Sequence, residues 1–238
     1  MWSRWYRSHW PSLPPERRSE GGQPVSQAKF REIAEIIIRL ADIQPEDRVL
    51  DLGCSIGAIT YYLSRRCHSI VGVDFIEDSL AFARENYNAP NVEYVCADLA
   101  TFATNDLFDC IVMNNVVHML DSWSIAKRLL CHCYSRLRPS GRLYLGEVPD
   151  TRKTWRYATV GRQGLRCYAH RLLPGWSFPI LSKVRGRPMG KVLWFNRARL
   201  ARILGCSAER IAVHDQPGTL LNPVERSHFV VVAPPAMR

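Results

Sequence analysis

From Arg48 to Val148 short apolar runs alternate with stretches of helical period, and this alternation restricts the fold more than any other feature. Arg48-Val49-Leu50-Asp51-Leu52 reads as a strand, and Ile59, Tyr62 and Leu63 as the face of the helix that follows a turn. Ile70–Asp74 is a second strand, followed by a helix from about Glu77 to Asn86, and Val92–Cys96 is a third strand. Phe108–Met113 is the fourth. Asp121 or Ser122 then caps a helix carrying Ile125, Leu129, Cys133 and Leu137 on one face, and Pro139-Ser140-Gly141 ends it before a fifth strand, Arg142–Val148. An earlier helix starts at the cap Ser26 and presents Phe30, Ile33, Ile37 and Leu40. The pattern pauses over 151–190 and resumes with a helix capped by Asn196 and closed by Gly205, then strands at Arg210–Val213 and His228–Val232. Apolar strands separated by helices imply a doubly wound, mostly parallel sheet covered on both faces, an α/β fold that binds ligands at the carboxyl ends of its strands.

A chain of 238 residues with 47% hydrophobic content can bury one substantial core. One domain is therefore expected over 26–238, preceded by a basic, aromatic arm or lid at 1–25 and interrupted by an inserted cap at 151–190. No apolar run approaches the roughly 20 residues that cross a bilayer. The opening Met1-Trp2-Ser3-Arg4-Trp5-Tyr6-Arg7 has no continuous apolar core of a secretory signal, which points to the cytoplasm. Of the eight cysteines, Cys131-His132-Cys133 forms the only cluster, on a helix where i and i+2 face apart and with no second pair at zinc spacing. No metal site is expected.

Charge is unevenly placed. The net +10 hides a stretch, 151–208, with thirteen Lys/Arg and no Asp or Glu, against ten Lys/Arg and seventeen acids in 32–150. An acidic core with basic flanks suits an anionic partner on the flanking side.

The turn after the first strand, Asp51-Leu52-Gly53-Cys54-Ser55-Ile56-Gly57, resembles the D-x-G-x-G-x-G loop of class I, Rossmann-like S-adenosylmethionine (SAM)-dependent methyltransferases of the small-molecule type. Ser55 stands where that pattern has its middle glycine, and a side chain fits there if φ is negative. The resemblance extends in register over 47–150. It implies that Asp51 orients the methionine amine, with Gly53, Cys54, Ser55 and Gly57 giving close backbone approach. It further implies that Asp74, with Phe75 beside it, binds the ribose, that Asp98 and Leu99 meet the adenine, and that Asn114 and Asn115 line the pocket near the sulfonium. The implied strand order is 3-2-1-4-5-7-6. A dinucleotide fold competes for such a turn, but the second glycine that admits a pyrophosphate is missing and Asp51 would repel it.

The acceptor side is less specific. No N/D-P-P-Y/F follows the fourth strand; the chain reads Asn114-Asn115-Val116-Val117-His118 instead. His118 is one candidate general base, with Glu147 and Asp150 at the end of the fifth strand as rivals. The 151–190 segment mixes Arg152, Lys153, Arg156, Arg162, Arg166, Arg171, Lys183, Arg185 and Arg187 with Trp155, Tyr157, Tyr168, Trp176 and Phe178, which suits a small anionic acceptor. Methyl transfer to oxygen or nitrogen of such an acceptor is the leading expectation. Methylation of RNA, and a non-catalytic accessory role, are the alternatives.

Overall fold

A computed structural model of the chain describes residues 25–153, 192–218, 220 and 226–236. The arm expected at 1–25 lies outside them except for Val25, as do Cys167 and every basic and aromatic residue named above in 151–190 other than Arg152 and Lys153. The elements in chain order are α1 (Gln27–Leu40), β1 (Arg48–Leu52), α2 (Ala58–Ser64), β2 (Ser69–Asp74), α3 (Glu77–Asn86), β3 (Val92–Cys96), β4 (Phe108–Asn114), α4 (Trp123–Ser135), β5 (Leu137–Pro149), α5 (Arg197–Leu204), β6 (Ile211–Asp215) and β7 (Arg226–Val232). They build a seven-stranded sheet of order β3-β2-β1-β4-β5-β7-β6, the order expected from sequence. β1 to β5 pair in parallel, while β7 runs antiparallel to both β5 and β6.

Strand periodicity divides the core in two. Leu50, Leu52, Ile111, Met113, Leu143 and Leu145 pack with Leu129, Leu130 and Cys133 of α4 and Leu200 and Leu204 of α5. Their neighbours Val49, Cys110, Val112 and Tyr144 pack with Ile33, Ile36 and Ile37 of α1 and Leu63 of α2 on the opposite face. Both faces are apolar because both are covered, which is why the strands read as runs rather than alternations. Each fully buried Leu or Ile contributes about 1.5–3 kcal/mol relative to its exposure.

The helices start where their capping residues allow. The Ser26 hydroxyl accepts from Lys29 N–H, Ser122 from Ile125 N–H, and the Asn196 side chain from Arg199 N–H, each satisfying a donor the helix leaves unpaired. One boundary differs from the sequence reading. α4 ends at Ser135, and Leu137 starts β5 because its pairing with Phe108 outweighs its place on the helical face. The connection from β3 to β4 carries no helix. At the amino-terminal edge of the sheet Arg142 donates to the carbonyls of Ala41 (2.9 Å) and Asp42 (2.7 Å) and pairs with Asp47, tying the end of α1 to β5. The opposite edge, where β1, β2, β4 and β5 end, is left to the polar residues.

Candidate active site

The turn after β1 is held against β2 by Gly53 N–H and Cys54 N–H, both donating to the Val73 carbonyl (2.7 and 3.1 Å). Gly53 has φ +83°, and a Cβ there would stand 2.4 Å from a methyl of Val116, so the loop after β4 closes directly onto this glycine. Ser55 departs from expectation: its φ is +51°, in the left-handed region, so its side chain is carried at a backbone cost. The compensation is local, because Ser55 N–H donates to Asp74 Oδ2 at 3.0 Å. Ile76 N–H donates to the other Asp74 oxygen, also at 3.0 Å. The carboxylate thus braces the turn while keeping acceptor capacity for a ligand hydroxyl.

Asp51 is 3% exposed, and Thr60 Oγ1 donates to it at 2.6 Å. Burial pushes its pKa up to about 6; the Thr60 hydrogen bond works against that rise and the nearby Asp74 adds to it. Asp74 is raised too, by burial, despite its backbone donors. Two carboxylates at the ends of adjacent strands therefore share a desolvated cleft, an arrangement that a bound cation would relieve. Cys54 turns its thiol inward against Leu80, Ala83 and Tyr94, with its pKa raised by burial and by both acids. Asp98 follows β3 and accepts from Ala100 N–H at 2.8 Å, whereas Leu99 is buried among Leu52, Val73 and Val117. Phe75 is half-buried between Asp74 and the start of α3.

A second polar group occupies the ends of β4 and β5. Asn114 pairs with Gly146 across the strands and donates to Glu147 Oε1 at 2.9 Å. Asn115 and Glu147 both have positive φ, 58° and 52°, and β5 shifts register between Leu145 and Val148. Arg226, the first residue of β7, reaches across to donate from Nη1 to Asn115 Oδ1 (2.5 Å) and to the Glu147 carbonyl (3.0 Å). His228, two residues along, shares its Nδ1 between the Tyr144 hydroxyl (2.7 Å) and Glu147 N–H (3.4 Å). Accepting at Nδ1 places the proton on Nε2, and burial, with His214 and Lys153 nearby, moves the His228 pKa down to about 4.

The three base candidates fall in different settings. His118 lies in the short turn Val117–Met119, is 1% exposed, and has no partner for Nδ1 among the described residues. Burial and the Arg226 charge keep it neutral, well below the usual histidine range. Glu147 is equally buried and accepts from Asn114. Asp150 is engaged from outside the group. Burial works against its charge, but hydrogen bonds from Arg152 and from Ser227 (2.9 Å) outweigh that and hold its carboxyl low.

The cysteine–histidine cluster points three ways. Cys131 donates to the Ile203 carbonyl, His132 accepts from Thr104 N–H, and Cys133 is buried in the core. Among the described residues no group of His, Cys, Asp or Glu could hold a metal, and no helix is long and apolar enough to cross a membrane.

Residues 49–141 match the family model of the methyltransferase domain. Over those residues the chain is similar to methyltransferase domains, and its sheet order is that of the Rossmann-like methyltransferase fold. The matched segment starts in β1 and ends in β5, so it contains Asp51, Asp74, Asp98, Asn114, Asn115 and His118 but neither Glu147 nor Arg226. Nodulation protein S of Sinorhizobium fredii is 28% identical over 107 residues, which is 44% of this chain and 50% of that protein. The ubiquinone biosynthesis O-methyltransferase of Bradyrhizobium diazoefficiens is 28% identical over 130 residues, 53% of this chain and 48% of that protein. The chain thus spans about half the length of these relatives. The crystal structure of the N-methyltransferase NodS from Bradyrhizobium japonicum WM9, in complex with S-adenosyl-L-homocysteine (SAH), has the same fold. It superimposes with a TM-score of 0.61 at 18% identity, over 96% of this chain and 98% of that one. The family match therefore covers β1 to β4 and the start of β5, while the likeness in fold extends over nearly the whole chain.

Proposed function

We propose that the chain transfers a methyl group from SAM to an oxygen or nitrogen of a small acceptor of anionic character. The observation that carries this reading is the pair of buried carboxylates, Asp51 and Asp74, joined through a left-handed turn. A ligand bearing a cationic amine and vicinal hydroxyls satisfies both. The amine offsets the desolvation that raises Asp51, and the hydroxyls use the acceptor capacity left on Asp74. Gly53 and Gly57 keep side chains away from that ligand, and Cys54 and Ser55 meet it through their backbone. Phe75, Asp98 and Leu99 line the adenine side. Bound SAM supplies an electrophilic methyl, so alignment rather than strong base catalysis provides most of the acceleration.

In this reading Asn114 and Asn115 border the transferring methyl. Glu147, buried and held by Asn114, takes the acceptor's proton, and neutral His118 is the second candidate for that step. Asp150, held by Arg152 and Ser227, serves the fold. The 151–190 segment acts as the acceptor cap, its basic side chains pairing with the acceptor's negative group, and 1–25 as the arm beside it. The likeness to ubiquinone biosynthesis O-methyltransferases supports a small-molecule substrate.

The test is calorimetric titration with SAH, followed by incubation with methyl-labelled SAM and separate small-molecule and RNA fractions. Binding together with label in the small-molecule fraction is the expected result. Label confined to RNA overturns the acceptor class. No SAH binding at millimolar concentration reverts the chain to an accessory protein that kept the fold.

A further inference from the structure

Outside the cofactor half, the described residues converge at one place. Arg226 enters the site from β7, roughly eighty positions after Glu147, and lies outside the segment that the family model covers. Its main chain is fixed by Lys153 Nζ, which donates to the Arg226 carbonyl at 2.7 Å and also pairs with Asp215 at 2.8 Å. Its head group is fixed by Asn115 and Glu147. Those two residues share an unusual property. Both are non-glycine, both have positive φ, and they end adjacent parallel strands. Left-handed backbone in such residues persists only when its surroundings hold it. Here a single guanidinium nitrogen holds both, and Asn115 N–H completes the link by donating to the Gly146 carbonyl at 2.9 Å.

Resting on the methyl-transfer reading, we propose that Arg226 is the positioning residue of the acceptor side. By tying the Asn115 amide to the Glu147 carbonyl it sets the direction in which the Asn114–Glu147 pair faces the methyl acceptor. Arg226 touches neither reacting atom in this scheme and acts through the two residues it joins. A lysine is a poor substitute, because its ammonium sits on a shorter, flexible stem without the planar head that aims Nη1 at both acceptors. Burial, with the Arg226 charge adding to it, lowers the His118 pKa well below the usual histidine range.

The experiment compares wild type with Arg226→Lys, Arg226→Gly and Asn115→Gly, reading SAH affinity by calorimetry and label transfer from methyl-labelled SAM to a deproteinised small-molecule extract. SAH affinity is expected to hold within about twofold in the two Arg226 variants, whose altered side chain bonds Asn115 and Glu147 rather than Asp51 or Asp74. Transfer is expected to fall about a hundredfold in all three variants, the scale of a misplacement near 1 Å. Added guanidinium chloride is expected to restore part of the loss in Arg226→Gly only. Asn115→Gly separates positioning from stability: glycine relieves the left-handed strain, so a merely structural role predicts undiminished transfer. Transfer within threefold of wild type in a variant that binds SAH normally overturns the inference alone. Loss of SAH binding in the Arg226 variants also overturns it, by putting Arg226 on the cofactor side. A wild type that binds no SAH, or labels nothing in the extract, overturns the methyl-transfer reading and this inference together.

Discussion

The Asn114 carboxamide lies where a Cβ of Gly146 would have to stand: built on the Gly146 backbone, that carbon comes within 2.0 Å of Asn114 Oδ1 and 2.5 Å of the Tyr144 ring. The two residues are register partners on β4 and β5, so the missing side chain is the space in which the amide turns toward Glu147. Gly146→Ala is therefore expected to destabilise the fold by about 1–3 kcal/mol, the usual cost of overpacking. It is expected to remove methyl transfer while SAH binding persists. Urea denaturation and calorimetry on the same preparation read the two effects separately, and an alanine variant with wild-type stability would show that the amide has room elsewhere.

Asp51 couples stability, pH and cofactor binding. Its pKa is raised in the folded chain from 3.8 to about 6, so the folded state holds this proton more tightly than the unfolded state. The sign follows: the contribution is fully present below about pH 4 and is lost as pH rises through about 6. At pH 7.5 the ionised group costs the ligand-free protein up to about 3 kcal/mol. Asp51→Asn should raise the melting temperature at pH 7.5, give no gain near pH 4, and weaken SAM binding. In the wild type, SAM binding near pH 6 should release protons, measurable as a dependence of binding enthalpy on buffer ionisation. Enthalpies identical in all buffers would remove Asp51 as the cation's partner.

Ser55 carries a side chain at φ +51°. Relief of left-handed strain is worth about 1–2 kcal/mol and the added freedom of glycine in the unfolded chain takes back about 0.5–1. Ser55→Gly is thus expected to stabilise the protein by roughly 0.5–1 kcal/mol in urea denaturation. A loss greater than that would mean that the serine side chain contributes more than its backbone conformation costs.

Removing the Asp74 carboxylate should weaken SAM by about 2–4 kcal/mol, since charge-assisted hydrogen bonds are each worth roughly 1.5–3. Asp74→Ala also strands the N–H groups of Ser55 and Ile76, so its melting curve must accompany the titration. A folded variant with unchanged SAM affinity would end the ribose assignment.

The sheet and its order were legible because strand and helix periods are local properties, and Val49 beside Leu50 needed no partner to declare two covered faces. Asp51, Asp74, Asn114 and Asn115 could be named as candidates because the resemblance of the turn after β1 to a known loop sets a register in which each falls at or near the end of a strand. The sign of φ at Ser55 was not, because a backbone twist set by the contact of Asp74 with the loop leaves no mark in residue type. Arg226 and His228 were missed for a related reason. They reach the site only through the antiparallel pairing of β7 with β5, a contact between segments about eighty residues apart. Gly146 was the available hint: a glycine inside an apolar strand often marks close approach by a neighbour. Leu137 shows the opposite failure, a residue of perfect helical phase claimed by a strand.

The stretch 154–191 begins and ends on fixed ground. Thr151 and Lys153 precede it, with Thr151 N–H donating to the Phe195 carbonyl (2.8 Å). Beyond it Leu193 N–H donates to the His118 carbonyl (2.9 Å) and Phe195 N–H to the Pro149 carbonyl (2.9 Å). Both ends of the stretch are thereby sewn to the carboxyl edge independently of what lies between them. Because the entropy of closing a loop rises only as the logarithm of its length, about 0.6 kcal/mol per doubling, the core tolerates long or short intervening sequence nearly equally. The anchoring of Thr151, Leu193 and Phe195 to the sheet edge uses main-chain atoms, so it does not depend on side-chain identity at those three positions.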